Sequence, residues 1–182
     1  PIMFFPAGKM GAKDIDRTLP KLATMVTAIL DEHKGQKGIV HCHSYKIAKY
    51  LKGNVKNKRI LIHNSENRDE ILQKHIDSKK DTVLLSPSMS EGVDLKGDLS
   101  KFQILCKVPF PYLGDAIVKK RMNKRDSWYP LQTAKTIVQS VGRSVRSVED
   151  QAVTYILDQG FQYFYNKNKS FFPKDFKQCL KW

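Results

Sequence analysis

The sequence predicts an α/β domain of three layers, with a mainly parallel central sheet wrapped by helices on both faces. Two observations carry this. Strand-like and helix-like segments alternate along the chain at the spacing of βα units. The chain has 182 residues and is 41% hydrophobic, with 2 Trp, 7 Tyr and 9 Phe, which suits one packed domain with a substantial core.

Taken in order, residues 1–5 read as a short strand. The chain opens without Met, so a fragment of a longer protein is expected. Residues 19–31 show helical spacing through Leu22, Met25, Val26, Ile29 and Leu30, and the helix ends near Gly35. Gly38–His41 is the next strand, turning at Ser44 into a helix over 45–51. A strand over 59–63, a helix over 66–76 and a strand over 82–85 follow. The loop SPSMSEGVDLKGD then leads to a strand over 102–108, the turn PFPYLGD, two helices and a last strand over 152–157. Residues 161–182, aromatic and basic, are expected to pack back as one or two helices. In such a sheet the functional loops gather beyond the carboxyl ends of the strands: Ser44 and Tyr45, residues 86–98 and residues 109–115.

Charge narrows the partners. Lys and Arg number 32 against 18 Asp and Glu, a formal charge of +14, which favours a polyanion. Nucleic acid is the leading candidate. No apolar run approaches the roughly 20 residues of a membrane-spanning helix, so no membrane partner is expected. Cys42, Cys106 and Cys179 lie far apart with no C-x-x-C pair, which suits a reduced intracellular compartment, cytoplasm or nucleoid. Cys106 and Cys179 read as core residues.

The most informative stretch is TIVQSVGRSVRS, residues 136–147. On a helix, Gln139, Arg143 and Arg146 are spaced i, i+4 and i+7 and share one face. Val138, Val141, Val145 and Val148 form the apolar stripe, and Gly142 sits between the faces, where a close approach to the backbone would justify it. Two guanidiniums a turn apart with an amide beside them suit a polyphosphate. This helix is expected to aim at the carboxyl rim. Upstream, Glu91, Gly92 and Asp94 sit in a loop rich in Ser and Gly. Its free N–H groups can bind phosphate, and Asp94 can accept from a ribose hydroxyl, although an Asx-type turn that caps the next element is the commoner reading of E-G-x-D taken alone.

Other patterns are weaker. Gly8-Lys9 lacks the spacing of a P-loop, and Asp31-Glu32 follows a helix where an acidic Mg²⁺ box would follow a strand. Lys119, Lys120, Arg121, Lys124 and Arg125 crowd one stretch ahead of Trp128 and Tyr129. They read equally as a basic strand-tracking patch or as a solvated helix face with aromatics beneath. His41 and His43, with His63 or His75, have no metal-ligand spacing, and no metal site is expected.

Read together, SPSMSEGVDLKGD, KVPFPYLGD, VQSVGRSVRS and YILDQGF, with HSYKIAKYL upstream, resemble the second RecA-like motor domain of XPD/DinG-like superfamily 2 DNA helicases. The resemblance covers most of the chain. It implies a RecA-like three-layer α/β/α fold over residues 1–182, with residues 1–12 as linker and first strand and 161–182 as a C-terminal helical extension. It implies that Gln139, Arg143 and Arg146 are the catalytic group that reaches ATP held by another motor domain, with Glu91, Gly92, Asp94 and Gly142 as nucleotide-binding residues. Ser44, Tyr45, Ser88, Ser90, Lys119, Lys120 and Arg121 would then grip single-stranded DNA. ATP and Mg²⁺ would be held mainly by an N-terminal motor domain of the same polypeptide, since neither a P-loop nor an acidic box after a strand is present here. Four cluster-ligating cysteines are likewise missing, so no iron–sulfur cluster is expected in this segment. A monomeric, ATP-dependent DNA helicase is implied, inactive as this segment alone. The alternatives are a non-catalytic nucleic-acid-binding module of the same fold, and a self-sufficient nucleotide-binding enzyme using Gly8-Lys9. His41 and Cys42 depart from the aromatic residues, and Gly160 from the basic residue, that relatives often carry.

Overall fold

A computed structural model of the chain describes residues 1–87, 95, 97–142 and 152–182. Among these residues, seven parallel strands form one sheet in the order β3-β4-β2-β5-β6-β1-β7. They are β1 (Ile2–Gly8), β2 (Gly38–His41), β3 (Ile60–Ile62), β4 (Val83–Ser86), β5 (Phe102–Leu105), β6 (Val153–Asp158) and β7 (Leu180–Lys181). The helices are α1 (Ile15–Glu32), α2 (Tyr45–Asn54), α3 (Arg68–Asp77), α4 (Ala116–Lys124), α5 (Trp128–Val141), α6 (Gly160–Lys167) and α7 (Lys174–Cys179).

Alternation along the strands divides the core. Val40, Val83, Leu85, Phe102, Ile104 and Leu157 turn to one face, where Leu19, Leu22, Val26 and Leu30 of α1 and Ile47 and Leu51 of α2 cover them. On the opposite face Ile39 and Leu84 pack with Leu95 and α3. Further along that face Leu105 and Ile156 meet Ala134 and Ile137 of α5 and the aromatic side chains of α6 and α7. Phe161, fully buried, touches the rings of Phe4, Tyr165, Phe172, Phe176 and Trp182. That cluster returns the C-terminal segment to the sheet, where it adds the short strand β7 beside β1, an element the sequence does not predict.

Differences from the sequence-based expectation have identifiable physical causes. β1 runs past Pro6 because the pairing with β6 shifts register between Phe4 and Gly8, which spares a ladder position to the residue without an N–H. β5 stops at Leu105 rather than 108. Val108 N–H leaves the ladder and donates to the Asp158 carboxylate at 2.9 Å. On α5 the deepest positions are Thr133, Ala134, Ile137 and Ser140, while Val138 and Val141 are half-buried at the edge of the core. Cys106 is buried, but Cys179 is exposed on the last turn of α7.

The first residue of β2, Gly38, has no room for a side chain, since a β-carbon there would lie 2.4 Å from the Phe102 ring, which is itself fully buried. Overpacking of this kind costs about 1–3 kcal/mol. Gly38→Ala is therefore expected to lower the urea-unfolding free energy by that amount. Gly53→Ala, on α2 with nothing within 4 Å, is expected to raise it by up to about 1 kcal/mol.

Candidate functional site

The strand order reverses direction around β2 and β5: the chain passes from β2 outward to β3 and β4, then returns to β5 on the other side. Ligands of open parallel sheets bind at such a switch point, beyond the carboxyl ends of the strands. Here that rim carries Cys42, His43 and Ser44 after β2, and Cys106 and Lys107 after β5. Cys106 N–H donates to the His41 carbonyl at 2.9 Å, and Cys42 N–H to the Ser86 carbonyl at 2.9 Å, so the three strand exits are tied together. Ser44 is the N-cap of α2, its hydroxyl accepting from Ile47 N–H, and Tyr45 beside it is 60% exposed.

His43 holds a left-handed backbone (φ 50°), uncommon outside glycine, and makes the sharp turn from β2 into α2. Its ring lies 6.1 Å from that of His41. Burial first, then the charges of His41 and Lys107, lower its pKa to about 3, so it is neutral at ordinary pH. Burial, with the neighbouring Cys106, likewise pushes the Cys42 thiol up, which keeps it an uncharged core group. His63 contacts the Ser86 hydroxyl, whereas His75 bonds Thr82 and the Leu99 carbonyl. Among the described residues no group of three His, Cys, Asp or Glu side chains is placed to hold a metal ion.

One strand further along, Asp158 ends β6. Its buried carboxylate accepts from the N–H groups of Val108 at 2.9 Å, Gly160 at 2.8 Å and Met10 at 3.3 Å. Burial raises its pKa more than these donors lower it.

The basic stretch forms α4 and its exit. Lys119, Lys120 and Arg121 are exposed, and no residue of α4 is buried. The Arg121 guanidinium sits 5.7 Å over the half-buried Trp128 ring. Tyr129 packs against Phe110 and donates its hydroxyl to the Pro111 carbonyl. These two aromatics therefore serve packing, while the cations face solvent.

The expected direction of α5 is corrected. Tyr129, at its start, bonds Pro111 beyond the carboxyl end of β5, and the helix runs back from there. At its other end the Val141 carbonyl accepts from Gln103 Nε2 at 2.7 Å, and Gly142 lines a cavity of about 930 Å³ with Pro1, Lys101 and Val153. Those residues begin β1, β5 and β6, so α5 ends at the amino edge of the sheet, opposite the Ser44 rim. A crossover helix must return across the layer before the next parallel strand starts, which is the reason. Gln139 is exposed near this end. Arg143 and Arg146 lie outside the described residues, as do Ser88, Ser90, Glu91, Gly92 and Asp94.

Residues 27–179 match the model of the helicase C-terminal domain. This chain belongs to that family. It is 28% identical over 152 residues to the ATP-dependent DNA helicase YoaA of Haemophilus influenzae, covering 78% of this chain and 24% of the relative. With the ATP-dependent DNA helicase DinG of Photobacterium profundum it shares 33% identity over 117 residues, 57% of this chain and 17% of the relative. The chain thus spans a quarter or less of these curated relatives. Among solved structures, S. tokodaii Xpd4 superimposes over 99% of this chain and 37% of its own, with a TM-score of 0.71 at 19% identity. This helicase C-terminal domain has the RecA-like fold of Xpd4, and the curated proteins it resembles include DinG.

Sequence reasoning passed over the role of Gln103. It is 1% exposed in the middle of β5, donating to both Val141 and Thr154, and so it fastens the end of α5 to the sheet. A glutamine inside the apolar run FQIL is the signal that could have found it. His43 and Lys107 had no such mark, because their proximity depends on strand order.

An unfolded chain titrates His43 near 6.5, the folded one near 3. Between these values only the unfolded state takes up the proton, so stability falls as pH falls through that window. His75, also lowered, acts in the same sense, and Asp158, raised, in the opposite one. His43→Asn, which tolerates the positive φ, is expected to reduce the pH dependence of unfolding free energy between pH 6 and about 4 by close to one proton. An unchanged slope in denaturant titrations contradicts the assignment.

Proposed function

We propose that this domain is the second motor half of an ATP-dependent DNA helicase, gripping single-stranded DNA at the carboxyl rim and completing an ATP site at the amino edge. The observation that carries the reading is the fastening of the end of α5 by buried Gln103, directly before Arg143 and Arg146 in sequence. A guanidinium that must meet a phosphate across a domain boundary needs a rigid base, and a buried amide bonded to strand and helix supplies one.

In this mechanism Gln139, Arg143 and Arg146, with Gly142 giving close access, face the polyphosphate of ATP bound with Mg²⁺ to an N-terminal motor domain. The arginines neutralise charge that develops on the transferring phosphoryl group. Glu91, Gly92 and Asp94 relay nucleotide state to the rim, and Ser44, Tyr45, Ser88 and Ser90 hold the strand there. Lys119, Lys120 and Arg121 extend the grip electrostatically. The +14 charge and the names of the relatives, which are DNA helicases, support this assignment. Closure of the two halves on ATP changes the grip on the strand, and hydrolysis releases it.

In the full-length protein, Arg143→Ala or Arg146→Ala is expected to cut DNA-stimulated ATPase by roughly 10³–10⁵-fold while the circular-dichroism spectrum and unfolding midpoint hold. Wild-type turnover in both variants would remove the arginines from the site. Binding of single-stranded DNA is expected to weaken steadily as salt rises, whereas a flat dependence contradicts a phosphate-gripping surface.

A further inference from the structure

We infer that a second stretch of the carboxyl rim, the groove between Phe110 and Tyr163, is a base-stacking subsite for single-stranded DNA. This rests on the DNA-gripping reading above and adds to it residues, Tyr163 and Lys167 above all, to which the sequence analysis gives no binding role. The groove encloses about 870 Å³ beyond the ends of β1, β5 and β6. Lys9, Lys107 and Lys167 stand in its wall with Phe110, Tyr129 and Tyr163.

Tyr163 decides the matter. It is a large aromatic on α6 left 67% exposed, while Phe161, Phe164 and Tyr165 around it are buried in the core. Among the described residues its ring contact is the Lys167 ammonium, 4.9 Å from the centroid. A ring held by a cation on one face offers the other to a flat π system. Phe110, 46% exposed, is supported from behind by Tyr129, near-parallel at 6.0 Å, and by the edge of Phe164 at 5.5 Å. Such backing fixes a ring without covering it.

Charge in the groove favours an anion. Its two carboxylates are already engaged: Asp14 pairs with Arg17 at 2.9 Å, and Asp158 accepts three backbone N–H groups. The three lysines line the same groove, Lys167 over the Tyr163 ring and Lys107 near the Asp158 carboxylate, and present cations to a phosphate backbone. Exposed aromatics interleaved with lysines are what a sequence-tolerant single-strand track requires, since every base has a π face and every linkage a charge. Lys107 joins this groove to the switch point, for its charge already acts on His43 beside Ser44. Adjacent strands are about 4.8 Å apart, and β5 and β6, whose exits carry Phe110 and Tyr163, lie one and two steps from β2, so the two stations adjoin along one rim, roughly 5–10 Å apart in strand spacing.

The test uses the full-length protein and fluorescein-labelled oligo-dT, with a second oligonucleotide carrying 2-aminopurine. Tyr163→Ala is expected to weaken oligo-dT binding roughly 5- to 100-fold and to abolish part of the 2-aminopurine quenching, with Tyr163→Trp restoring both. Phe110→Ala acts in the same direction, and Lys167→Gln lowers the salt dependence. Undiminished affinity and quenching in Tyr163→Ala, with Tyr45→Ala weakened, would overturn this subsite and leave the helicase reading standing. If the wild-type protein fails to bind either oligonucleotide, both readings fall.

Discussion

One buried carboxylate organises the carboxyl rim. Asp158 gathers the N–H groups that follow β1, β5 and β6, three segments separated by most of the chain. A charge taken out of water is costly, and burial, partly offset by the three donors, holds its pKa above the usual carboxylate value. The benefit is geometric. With Val108 drawn out of the ladder, the P-F-P turn leaves the sheet at a fixed angle and presents Phe110 to solvent. Gly160 follows at once, where a β-carbon would sit 3.1 Å from the carboxylate oxygen, so α6 starts tight against the strand end and carries Tyr163 outward.

Gln103 plays the matching part on the other edge. Its amide bridges β5, β6 and the last carbonyl of α5, so that edge is set by a neutral group where the rim is set by a charged one. Fixing both edges of a sheet independently suits a protein proposed to hold two ligands, a nucleic-acid strand on one side and a nucleotide presented by another domain on the other. The sheet between them is dry: Val40, Leu85, Phe102, Ile104 and Ile156 are all 1% exposed or less. A packed layer of this kind transmits displacement rather than absorbing it.

The sequence made most of the fold legible because alternation of βα units and apolar spacing are local signals. Strand β2 was readable to the residue, and the switch into α2 at Ser44 follows from a capping serine ahead of a helical run. What escaped reading was non-local. The shortening of β5 depends on a carboxylate fifty residues away in sequence. The short β7 depends on an aromatic cluster assembled from both chain ends. The direction of α5 was misjudged because a helix-face pattern says which residues face together and nothing about which edge of the sheet they reach. Cys179 was misplaced for a related reason, since α7 is too short for its spacing to declare a buried face. The motif residues, in contrast, were named from type, spacing and a family resemblance, and the family itself is recovered by comparison over residues 27–179.

The central claim is that opposite edges of this sheet serve different ligands. Hydrogen exchange on the full-length protein, read by mass spectrometry, tests it most directly. Oligo-dT alone is expected to slow exchange over residues 42–47, 107–112 and 159–164, whereas a non-hydrolysable ATP analogue alone slows it over residues 137–153. Protection of the same edge by both ligands, or the two patterns exchanged, would contradict the account.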